Sequence, residues 1–129
     1  MTKSFLFLIS LSFIIFINCQ ENYEMLNLKN FEWKNRVLII GGDSSKFKSQ
    51  LDQINLESNE FTDRDLVIIL IEKDNSRISY DGLKTIKSID YDSTLNLRNK
   101  YNFKEFKLLL IGKDGGEKYN SKKPVSINA

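Results

Sequence analysis

The chain has 129 residues, 19 basic against 17 acidic side chains for a net charge of +2, no histidine and a single cysteine. The length holds one domain. The missing imidazoles exclude Ser-His-Asp and Cys-His catalysis and histidine-ligated metal sites, a single cysteine excludes a disulfide within the chain, and interspersed charges of both signs give no electrostatic footprint for nucleic acid.

Residues 1–19 read as a signal peptide: Lys3, an apolar stretch from Phe5 to Ile17, then Asn18 and Cys19. A basic start followed by roughly 7–15 apolar residues has the build of a secretory signal. The stretch falls short of the roughly 20 residues that a spanning helix needs. A retained anchor and a buried helix are the alternatives. Cys19, followed by polar "QENYE", resembles a bacterial lipoprotein signal, in which the cysteine is lipidated and becomes the first residue. Ile17 and Asn18 depart from that pattern, which favours small residues, so an ordinary signal whose cysteine is discarded stays open beside it. The expected location is exported: periplasmic, lipid-anchored to the cell envelope through Cys19, or secreted. Loss of the leader takes only Lys3 from the basic count and leaves a net charge of about +1.

Residues 20–30 are polar with Met25, Leu26 and Leu28 among them, and read as a tether into a domain over 31–129. Phe31 and Trp33 open that domain, Trp33 as a core or lid residue that stabilises through buried area. "RVLII" (36–40) predicts a strand buried on both faces, ended by Gly41 and Gly42. From Ser44 to about Asn59, Phe47, Leu51 and Ile54 recur at the spacing of an amphipathic helix. Asp43, Ser44 or Ser45 is placed to cap its start. "LVIILIE" (66–72) is a second buried strand. "RISY" and "LKTIKSI" suggest short strand pieces between turns. Thr94, Leu97 and Tyr101 predict a helix from about Ser93, and "FKLLLIG" (106–112) a third buried strand. Asp114-Gly115 signals a hairpin into "EKYN". Pro124 suits the first turn of a final helix. Buried strands alternating with helices predict an α/β fold: a central sheet with a parallel β-α-β half and a C-terminal antiparallel hairpin, helices packed on the sheet.

That order resembles the thioredoxin fold, most closely along "KYNFKEFKLLLIGKDGGEKY". More specifically, "EWKNRVLII", "DRDLVIILIE" and "LLLIGKDGGEK" resemble the DUF4174 family over about residues 26–128. The resemblance implies an exported protein with a thioredoxin-like, peroxiredoxin-like shape and no established enzymatic activity. It also implies one more helix after "SKKPVSIN", and the sequence stops where that helix would begin.

In a thioredoxin the first of these strands leads into two redox cysteines at a helix N-terminus, where the dipole favours thiolate. Here the equivalent loop is "GGDSSK", without sulfur, and Lys107 falls near the place of the family's cis-proline. Thiol chemistry is thereby excluded from the domain. A Ser–Lys pair through Ser44 or Ser45 with Lys46 or Lys107 is conceivable but disfavoured; Lys46 is a poor base for Ser45, because neighbours at a helix start do not face each other. Two glycines ahead of a helix N-terminus do suit an anion. The loop lacks the P-loop spacing, however, and Asp43 puts a negative charge in the way. The competing reading makes the glycines a tight turn and Asp43 or a serine a helix cap. Asp63, Asp65, Asp114 and Glu117 are too sparse for a calcium loop.

The candidate ligand loop is therefore Gly41, Gly42, Asp43, Ser44 and Ser45 with Lys107; no catalytic residue, metal site or cofactor is assigned. The functional expectation is a non-redox binding or interaction module at the cell envelope, its partner an unknown protein or small ligand. An enzyme using Asp, Ser or Lys in the 41–46 loop is the alternative, and a degenerate copy without activity a third reading.

Overall fold

The computed structural model describes residues 23–42, 45–57, 64–73 and 75–126. The leader with Cys19, and also Asp43, Ser44 and Asp63, lie outside the described residues. In chain order the elements are a 3-10 turn (Leu28–Phe31), β1 (Arg36–Gly41), α1 (Ser45–Leu56), β2 (Leu66–Ile71), β3 (Ser76–Ser79), β4 (Lys87–Ser88), α2 (Tyr91–Tyr101), β5 (Lys107–Ile111) and β6 (Glu117–Ser121). Among the described residues the strands form one sheet in the order β4-β3-β2-β1-β5-β6. β1 and β2 run parallel, in register from Arg36 beside Leu66 to Gly41 beside Ile71, and the other pairings are antiparallel. The α/β plan expected from the sequence is present, with two helices packed on a mixed sheet, and it agrees with a thioredoxin-like arrangement.

Successive strand residues point to opposite faces, so a strand covered on both sides needs apolar residues throughout. Val37, Ile39, Val67 and Ile69 point to one face, where Leu97 of α2 and Phe31 of the 3-10 turn close over them. Leu38, Ile40, Ile68 and Leu70 point to the other, under Phe47 and Ile54 of α1. Each fully buried isoleucine contributes roughly 1.5–3 kcal/mol, which makes this double layer the main source of stability.

α2 starts at Tyr91, two residues before the spacing suggested, because Asp90 is an N-cap. Its backbone is extended (φ −63°, ψ 157°) and its carboxylate accepts from the Ser93 N–H at 3.2 Å. At the far end Asn102 turns left-handed (φ 55°) and donates its N–H to the Arg98 carbonyl at 2.9 Å. α1 stops at Leu56, short of the expected Asn59, and the Glu57 N–H bonds back to Ile54 at 3.1 Å. β1 also runs one residue further than expected, taking in Gly41.

Three stretches differ from the sequence reading. Trp33 is not in the core: 77% of it is exposed. Its backbone is left-handed (φ 67°) and its N–H donates to the Lys113 carbonyl at 2.6 Å. That turn sends the indole outward and leaves Phe31 to fill the core. Residues 23–30, read as a tether, lie against the domain: Glu24 bridges Ile89, and Leu26 and Leu28 pack on the core. Pro124 opens no helix among the described residues; 124–126 run irregularly across α1. The buried Gln50 holds them there. Its carboxamide donates to the Val125 carbonyl at 3.0 Å and accepts from the Val125 N–H at 2.7 Å.

Candidate functional site

The candidate loop lies at the carboxyl ends of β1 and β2, the place in an open α/β sheet where ligands bind. Register brings part of the sequence-chosen set together. Gly41 pairs with Lys107 across β1 and β5, and Gly42 follows directly. Ser45 is the first residue of α1. Asp43 and Ser44 lie outside the described residues.

The two glycines are explained by close approach. A Cβ on Gly41 would sit 2.3 Å from the Phe103 ring, and one on Gly42 2.6 Å from the Phe106 backbone. Gly42 also takes φ +109°, which side chains rarely adopt. The segment from α2 into β5 thus crosses directly over the end of β1, and only hydrogen fits beneath it. Lys107 has a structural partner as well. Its Nζ donates to the Tyr101 carbonyl at 2.9 Å, satisfying an orphan acceptor at the C-terminus of α2, and lies 5.9 Å from the Phe103 ring centre. No cis peptide bond occurs among the described residues.

Beside this crossing lies an open pocket of about 470 Å³, lined by Gly42, Lys73, Arg98, Asn99, Asn102, Phe103 and Lys104. Lys73 follows the end of β2, Arg98 and Asn99 belong to the last turn of α2, and Asn102 to Lys104 to the crossing segment. None of these lining residues is acidic. The neighbouring Glu72 carboxylate is committed to Arg77, and the Glu72 carbonyl accepts from Arg98 Nη2. That bond fixes the Arg98 guanidinium, whose Nε is buried without a partner. Three cations, two carboxamides and one aromatic wall therefore converge on one concavity, a donor-rich lining suited to a carboxylate or a phosphate. A second cavity, about 90 Å³, lies under the 3-10 turn between Leu28, Phe31, Tyr101 and Ile111.

Sequence reasoning located Gly42 but missed Lys73, Arg98 and Lys104. They stand 25 and 6 residues apart in the chain, each looks like ordinary solvated charge, and only the sheet order brings them together. Asp65 bridges Lys113 at 3.2 Å, and Asp114 bridges Lys118 at 2.7 Å and accepts from the Gly116 N–H at 3.0 Å. The Lys118 bond, with the Gly116 N–H, holds Asp114 below the usual carboxylate range. Among the described residues no three acidic or sulfur ligands cluster for a metal ion, and no helix is long and apolar enough to cross a membrane.

The fold and site define an α/β domain whose central parallel pair ends in a basic pocket. Residues 27–129 match the domain of unknown function DUF4174, and the chain belongs to this family. No curated protein and no solved structure matches the chain.

Proposed function

We propose that this protein is an exported binding module, held at the cell envelope, that takes an anionic group of its ligand in the pocket of Lys73, Arg98 and Lys104. The observation that carries the reading is the lining itself: three cations from separate elements on one concavity, with no carboxylate among the lining residues. Like charges gathered in a cleft raise the local concentration of counter-ions and repel one another until one binds. The sequence supports binding over turnover, since the domain offers neither thiol nor imidazole. Lys107, one of the two lysines considered as a base for the loop serines, has its ammonium tied to the Tyr101 carbonyl.

The test titrates inorganic phosphate, and separately acetate, into the full chain by calorimetry and by amide NMR shifts. Saturable shifts at Gly42, Asn99 and Asn102 are expected, and the charge-reversed pair Lys73→Glu with Lys104→Glu should weaken phosphate at least tenfold with an unchanged melting temperature. Unchanged affinity in that variant, or shifts spread evenly over the surface, would overturn the reading.

A further inference from the structure

The exposed apolar side chains are not scattered. Of the nine large hydrophobic residues exposed among the described ones, six surround the N-terminal segment: Tyr23, Met25, Tyr80, Ile86, Tyr91 and Leu95. The backbone places them together. Glu24 donates its N–H to the Ser88 carbonyl at 2.9 Å and accepts from the Asp90 N–H at 3.0 Å, so Tyr23 and Met25 flank β4 and the start of α2. Ile86 immediately precedes β4, Tyr91 begins α2, and Leu95 stands one turn along the same helix face. The Tyr80 hydroxyl donates to the Glu24 carboxylate. Met25 is 85% exposed and Tyr91 68%.

The same edge is where the chain leaves for its apolar leader. The segment is docked from Glu24 onward, and Cys19 stands five residues earlier. Even a fully extended chain spans at most about 18 Å over that distance. Whatever holds residues 1–19 therefore holds this face, and not the opposite edge at β6, within reach of it. Three tyrosines, each with an apolar body and a polar tip, together with methionine, isoleucine and leucine, match the headgroup zone of a bilayer.

We propose that this face lies against the lipid bilayer, with Met25 and Tyr91 in the interfacial zone. The inference rests on the envelope-anchored reading of the leader, and the experiment separates the two.

Trp33 is the only tryptophan. With Trp33→Phe as background, one reporter is placed by Met25→Trp and another by Tyr119→Trp, on β6 at the far edge of the sheet. The full-length chain is reconstituted in vesicles of phosphatidylethanolamine and phosphatidylglycerol, with and without brominated acyl chains. Co-sedimentation is expected for both variants, with brominated lipid at least halving the fluorescence at position 25 and leaving position 119 unchanged. Co-sedimentation with equal quenching at the two positions overturns the bilayer face and leaves the anchor standing. Absence of co-sedimentation overturns both. A blue-shifted reporter at position 25 in lipid-free, self-associated protein makes the occupant a second copy of the chain and also overturns the proposal.

Discussion

Gly41→Ala tests whether the glycine pair serves packing or a ligand. Gly41 has no left-handed backbone requirement, so the whole effect is steric: the new methyl would stand 2.3 Å from Phe103 Cδ1 and 2.6 Å from its Cγ. Overpacking of this kind costs about 1–3 kcal/mol. At about 4–8 °C per kcal/mol for a domain of this size, Tm should drop by roughly 4–24 °C. Phe103→Ala alone costs about 3–5 kcal/mol through lost burial and a residual cavity. With the ring gone the clash goes too, and Gly41→Ala should then be neutral or slightly stabilising, because alanine loses less backbone entropy than glycine. The four proteins of the cycle, unfolded in urea, should give a coupling energy of about 2 kcal/mol. A coupling below about 0.5 kcal/mol means that the two sites are independent, and the close-approach account of Gly41 fails. Gly41→Ala with wild-type stability but abolished phosphate binding would return the glycine to the ligand.

Gln50→Leu strips the partners from the Val125 N–H and carbonyl and should destabilise by about 1–3 kcal/mol, read by urea unfolding together with faster amide exchange at Val125. Lys107→Met should lose about 1 kcal/mol by freeing the Tyr101 carbonyl while phosphate affinity changes less than threefold; a larger loss of affinity at constant stability would make Lys107 a ligand residue. The Ser93 hydroxyl and N–H hold Asp90 below its usual value, so its folded pKa is depressed. Its contribution is present above the unfolded pKa of about 4 and is lost as pH falls through the folded value. Urea unfolding between pH 5.5 and pH 2.5 should therefore show a shallower loss of stability in Asp90→Asn than in wild type.

The centre of the fold was legible because β1, β2 and β5 carry consecutive branched residues that only a doubly covered strand can bury. The hairpin was legible because Asp114-Gly115 supplies both the turn acceptor and the positive φ, here +82° at Gly115. Trp33 misled because a large indole is normally worth burying, and nothing in "FEWKN" shows that the chain turns left-handed there. The tether misled in the opposite sense: Leu26 and Leu28 look isolated in a polar stretch, yet the first is held by a Ser93 hydroxyl 67 residues away. The candidate site was half legible. Gly42 was visible as a junction, whereas Lys73, Arg98 and Lys104 acquire meaning only when the ends of β2 and α2 are brought side by side.

The carboxamide of Gln50 pairs with Val125 as one strand residue pairs with another, and so stitches the first helix to a segment 75 positions downstream. Closing so long a loop is entropically slow, and the stitch must await the residues up to Val125. It belongs among the contacts that form late, after the sheet and both helices have brought their partners together. Losing Val125 would strand a polar group inside α1's packed face, so that damage to an irregular segment far along the chain becomes a fault of the core.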